Sequence, residues 1–281
     1  MMSAIRYVFT CLTAGVVFAQ FVACGSSLYQ VSLDEDSHME ASNTNAADPS
    51  SNEYGIHARD GWTNLPVSSL LSVEMMMEQK VHLYAAMLKW EWAVGRKLFR
   101  LDGNTAKHGD DFVDLYSSLN DQLNGHYLDL DWEKTAKKRE VLATTIWSYD
   151  TSNTKIATAD IRFNEEYYLI GDSLKTKASE TKEVVDMQSL ALHELGHLLG
   201  LAHVGAEEDE YSIMRPSMFI GEGLSNRTLS AGDIERIQKI YGCEGDACNI
   251  ELLLSQQVSG EADFTVESVN YFKKTNLTLL P

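Results

Sequence analysis

A chain of 281 residues suits one sizeable domain with extensions or two small ones, and 44% hydrophobic residues beside 23% charged ones predict a true core. The formal net charge of -18 argues against nucleic acid or an anionic membrane surface as the main partner, since both would be repelled.

Residues 1–23 have the anatomy of an export signal: Arg6 gives a positive start, and residues 7–23 are almost all apolar or small. The stretch is slightly short for a membrane span, which ranks an uncleaved anchor behind a cleaved signal. Phe21-Val22-Ala23-Cys24-Gly25-Ser26-Ser27 resembles a bacterial lipobox, although Leu is usual where Phe21 stands. That resemblance implies lipidation of Cys24 and, with Gly25 after it, an outer-membrane address; plain secretion after Ala23 or Gly25 is the alternative. With Cys11 in the signal, Cys243 and Cys248 are the only pair left, and an exported chain predicts a disulfide between them. The polar composition of residues 24–61 cannot offset its own ordering entropy, so this segment reads as a flexible tether or a pro-segment.

A folded domain is expected over residues 62–243. Residues 65–73 suggest a first strand. Residues 75–101 suggest a long helix with Met77, Val81, Tyr84, Leu88 and Trp92 on its core face, stopped by Asp102-Gly103-Asn104. Residues 105–140 show no clear period. Asp110, Asp111, Asp129 and Asp131 lack the spacing of a calcium loop and read as a solvated face, with calcium left open. Strands are expected at 141–149 and 156–164 and a short edge strand at 167–170; Asp186 then suits the N-cap of a helix. A last amphipathic helix spans 230–241, with Ile234, Ile237 and Ile240 on one face. Residues 244–281 are polar with apolar islands and form a tail of unassigned role. The element pattern is mixed α+β.

The chemistry is concentrated in His193-Glu194-Leu195-Gly196-His197-Leu198-Leu199-Gly200-Leu201-Ala202-His203. Residues four apart share a helix face, so His193 and His197 can present two imidazoles to one metal ion. Glu194 projects beside them, and Gly200 permits a sharp turn that brings His203 round as a third ligand. Three neutral imidazoles leave a fourth tetrahedral position open, the mark of a catalytic zinc. A bare His-Glu-x-x-His is weak, but a chance match to the extended form is on the order of one in 10⁵.

This extended segment is similar to the signature of the metzincin metalloproteases. That clan sets a methionine turn beneath the metal, and Met214 in Ser212-Ile213-Met214-Arg215-Pro216-Ser217 fits it as a hydrophobic floor. Pro216, two residues after Met214, resembles the matrixins; the astacin and serralysin branches have a Tyr in the turn. Leu229 to Gly242 resembles the matrixin C-terminal helix, Val185 to Leu192 the lead-in of small bacterial and plant matrixins, and Ala159 to Asn164 their central strand. The resemblance covers roughly residues 62–242 and is specific only from Ala159 onward.

It implies a mixed, twisted sheet packed with a long first helix, the zinc-binding helix and a C-terminal helix. It also implies one zinc on His193, His197 and His203, Glu194 as general base and acid, Asp233 steadying the methionine turn, and a protein or peptide substrate lying along a sheet edge. The expected protein is a monomer that meets membranes only through an N-terminal lipid. Two departures stand out. No cysteine lies between Cys24 and the zinc segment to act as the animal enzymes' latency switch, and the loop holding their structural metals is missing between Asn164 and Asp186. His57, His82, His108 and His126 then read as surface or packing residues, and Met218, where the family often has Tyr, changes the substrate pocket. The rival readings are an inactive protease-fold binding lipoprotein and a hydrolase of non-protein amides.

Overall fold

A computed structural model describes residues 29–32, 55–151 and 154–275; the candidate signal and Cys24 lie outside the described residues. Its first element, β1 (Tyr29–Ser32), pairs away from the main sheet. That sheet contains β2 (Val67–Ser72), β3 (Phe99–Thr105), β4 (Gly125–Asp129), β5 (Ala143–Tyr149) and β6 (Ile156–Asn164) in the order β3-β2-β4-β6-β5. Strands β3, β2, β4 and β6 run parallel, and β5 lies antiparallel to β6 at one edge. Inner-face residues such as Val67, Leu71, Leu128, Ile161 and Phe163 share one core with the helices.

The first helix, α1 (Met77–Val94), ends well before residue 101, where the sequence pattern placed its stop. Gly95 ends it with φ 73, its N–H on the carbonyl of Glu91, and a side chain there would collide with the carbonyl of Glu244. The Glu91 carboxylate accepts the N–H groups of Leu98 (3.1 Å) and Phe99 (2.9 Å), turning the chain directly into β3. Asp102-Gly103-Asn104 therefore lies inside a strand.

Strand β4 sits in the stretch that showed no period, and its five residues are all buried. Alternation is lost because both faces are covered. Arg162, itself fully buried, binds Asp129 through Nε (2.9 Å) and Nη2 (2.6 Å) and donates to the carbonyls of Gly109 (2.8 Å) and Asp114 (2.9 Å). This corrects the solvated-face reading for Asp129, which is buried and ion-paired.

Beyond the sheet, β7 (Leu169–Gly171) and β8 (Val184–Asp186) form a short parallel pair leading into α2 (Met187–Leu198), which Asp186 caps through Ser189. β9 (Ser217–Ile220) pairs antiparallel with β1, Tyr29 opposite Ile220 and Ser32 opposite Ser217. α3 (Ala231–Tyr241) starts at a capping box of Ser230 and Asp233. The tail is built into the fold: Cys243 and Cys248 are disulfide-bonded, and α4 (Ile250–Ser259) and α5 (Thr265–Thr275) follow. Tyr84 of α1 packs on Tyr271 (4.3 Å between centroids) and Phe272 (5.8 Å), and the Trp92 indole N–H donates to Gln256. At the other end, residues 55–61 are also packed, with His57 and Ala58 donating N–H bonds to the carbonyl of Gly200 and Ala202 donating to Gly55. No helix among the described residues is long and apolar enough to cross a membrane.

Arg227 joins the α2 entrance to the preceding loop. It donates to both oxygens of Asp186 (2.9 and 2.5 Å) and to Asp172 (2.6 Å). Burial pushes the Asp186 carboxyl up, but the Arg227 bond and charge outweigh it and hold the group below its ordinary value. A depressed folded-state value stabilises the fold above the unfolded pKa of about 4 and is lost as pH falls through the folded one. Arg227→Ala is expected to cost about 3 kcal/mol at neutral pH and to move acid unfolding to higher pH, measured by urea titration from neutral pH down to about pH 3.

Candidate metal centre and active site

The side chains of His193 and His197 leave the same face of α2, and the chain then reverses at Gly200, whose φ is 106 and where a side chain would press within 2.8 Å of the Ala58 carbonyl. The reversal brings His203 back to the helix. The three Nε2 atoms converge: 3.0 Å between His193 and His197, 3.1 Å between His197 and His203, and 3.2 Å between His193 and His203. His193 Nδ1 lies 2.7 Å from the carbonyl of Ile213, and His197 Nδ1 lies 2.8 Å from that of Leu201. A carbonyl only accepts, so both Nδ1 atoms carry the proton and both Nε2 atoms present lone pairs inward. Burial, with the neighbouring His203 adding to it, pushes His193 down to about 3; burial and both neighbouring imidazoles push His197 well below its ordinary value. Neutral rings with converging lone pairs repel one another unless a cation sits among them. Bonds of ~2.05 Å at tetrahedral angles would set donors ~3.3 Å apart, close to this spacing. The donor set fits zinc.

Beneath this cluster, Met214 is fully buried with its sulfur against Gly196, so that a side chain at Gly196 would collide with it. The turn carrying Met214 is fixed by Asp233, which accepts from the Ser212 hydroxyl (2.5 Å), the Ile213 N–H (2.8 Å) and Arg236 (2.7 Å). The carbonyl of that same Ile213 orients His193.

Glu194 is fully buried, and the hydroxyl of Thr145 on β5 donates to its Oε2 at 2.7 Å. Thr145 carried no motif in the sequence; only its place on the edge strand beside α2 reveals it. His57 packs, as expected from the sequence, but its contact with α2 carried no motif. It stacks on Trp147 with centroids 4.1 Å apart, and its Nε2 lies 2.8 Å from the carbonyl of His197, bracing the backbone of a candidate ligand. The other three histidines pack: His82 against Gln188 and Asp172, His108 against Glu74, and His126 wholly buried, which pushes it down to about 3. Among the described residues, Glu74, His108 and Asp110, and likewise Glu78, His82 and Asp172, also gather potential donor atoms. Asp172 is already ion-paired to Arg227 and to Lys175 (2.5 Å).

A mixed sheet with an antiparallel edge, a helix with two histidines one turn apart, a third histidine past a glycine turn and a buried methionine against that helix define a three-histidine site suited to one metal ion with an open position. The matrixin family model matches residues 30–242, and the chain belongs to that family, which implies zinc. Over 79 residues it is 37% identical to the metalloendoproteinase 5-MMP of Arabidopsis thaliana, covering 28% of this chain and 21% of that protein. It is 40% identical over 78 residues to 2-MMP of the same plant (28% and 19%), and 38% identical over 80 residues to metalloendoproteinase 1 of Glycine max (28% and 24%). The matched stretch thus spans about a fifth of each relative's length.

Because Asp233 acts on His193 through Ile213, Asp233→Ala is expected to weaken zinc binding about 10- to 100-fold, measured by competition with a chromogenic chelator.

Proposed function

We propose that the protein is a zinc-dependent endopeptidase acting on extended segments of extracytoplasmic proteins. The observation that carries this reading is the convergence of three imidazole Nε2 atoms beside a buried glutamate, flanked by the edge strand β5. The relatives' printed names, all metalloendoproteinases, support it. His193, His197 and His203 would hold the zinc. Zinc supplies the Lewis acidity that makes water a nucleophile near neutral pH. The Glu194 carboxylate takes the proton as water attacks the scissile carbonyl and delivers it to the leaving amine nitrogen. Edge strand β5 aligns the peptide by strand addition.

For residues 24–61, the pairing of β1 with β9 favours a pro-segment over a free tether, because it covers a backbone edge of the strand that follows Met214 and Pro216. Export as a lipoprotein anchored at Cys24, and action as a monomer, belong to the same proposal.

Glu194→Ala is expected to retain zinc yet lose at least about a thousandfold in kcat on a peptide library, and chelation of the wild type to abolish cleavage until zinc is restored. Zinc-loaded wild type that cuts no peptide, or a mutant that cuts equally well, would leave the binding-lipoprotein reading. Separately, a chain starting at Tyr54 should cleave peptides with a several-fold higher kcat/KM than one starting at Ser26; equal values would restore the tether.

A further inference from the structure

A glutamate side chain has three rotatable bonds, and its use as a proton acceptor demands one orientation among many. The structure supplies a specific restraint. Thr145 stands opposite Ile161 in the β5–β6 pairing, so it projects from the inner face of the sheet toward α2, where it is fully buried. Its Oγ1 lies 2.7 Å from Glu194 Oε2 and 3.1 Å from the main-chain carbonyl of the same residue. A hydroxyl donating to a carboxylate in a water-poor setting forms a short, charge-assisted bond. The β-branched Thr side chain is itself stiff about χ1, so the restraint is firmly mounted.

Building on the assignment of Glu194 as proton acceptor, we infer that Thr145 is a positioning residue for it. By pinning one carboxylate oxygen, the hydroxyl sets the plane of the group and the direction of the other oxygen. Thr145 also belongs to the strand that aligns the peptide backbone. The same element thus fixes the substrate's register and the base that acts on it, so the two move together if the edge shifts relative to α2.

Two variants separate the hydroxyl from the packing. Thr145→Val keeps the shape and removes the donor; Thr145→Ser keeps the donor and removes a methyl. In zinc-loaded protein, Thr145→Val is expected to lower kcat about 10- to 100-fold, with KM and zinc affinity within about twofold of wild type, and Thr145→Ser to restore most of the rate. A readout independent of cleavage is the antisymmetric carboxylate stretch of Glu194, assigned by subtracting the infrared spectrum of Glu194→Gln. It should be narrow in wild type and Thr145→Ser, and broadened and shifted in Thr145→Val. The inference is overturned if Thr145→Val leaves kcat and the infrared band unchanged, or if Thr145→Ser falls as far as Thr145→Val, which would mark a packing role. Wild type that cuts no peptide while its band responds to Thr145→Val would instead overturn the endopeptidase reading and leave the positioning role standing.

Discussion

One buried carboxylate ties the metal site to the rest of the fold. Asp233 caps the N-terminus of α3, where the helix dipole favours negative charge, and in the same position accepts bonds from Ser212 and Ile213. The carbonyl of Ile213 then fixes the proton on His193 Nδ1. A single side chain thereby connects the last helix of the family core, the methionine turn and a candidate ligand. Arg236 braces it, reaching Asp209 and Ser212 as well as Asp233, so the charge is compensated where water does not enter.

The opposite end of α2 solves a different problem. A helix leaves its last carbonyls without partners inside the helix, and here they are buried. The chain supplies donors from distant places: His57 to the carbonyl of His197, the Trp62 indole to Leu198 and the Tyr241 hydroxyl to Leu199. Such bonds help bury Gly55, Ile56, Ala58 and Gly61, while Arg59 and Asp60 stay exposed, although the composition of residues 55–61 is that of a linker. Their contribution is a few hydrogen bonds and one stacked ring, not a run of apolar residues.

These cases also mark what was legible in the sequence. The candidate metal ligands could be read because their spacing matches the helix repeat and a glycine turn, both local properties. The Asp186 cap and strand β6 were legible for the same reason. What escaped depends on contacts between distant segments. β4 hides its period because both of its faces are covered, and Arg162, which holds the covering segment, reads in sequence as an ordinary strand residue. The end of α1 turns on Gly95 lying against residue 244 and on a Glu91 carboxylate that stands in for the next turn of helix. Thr145 and His57 gain their meaning only when β5 and α2 lie side by side.

The placement of α4 and α5 carries a consequence in time. Tyr84, on the first long helix, is covered by Tyr271 and Phe272, far downstream in the sequence. A ribosome delivers residues in order, so the aromatic face of α1 waits for its cover until Tyr271 and Phe272 have emerged. Contacts between segments so distant in sequence form slowly. Helix α2, which carries two of the candidate ligands and packs on that same α1, therefore reaches its finished packing only after residues 271 and 272 are in place.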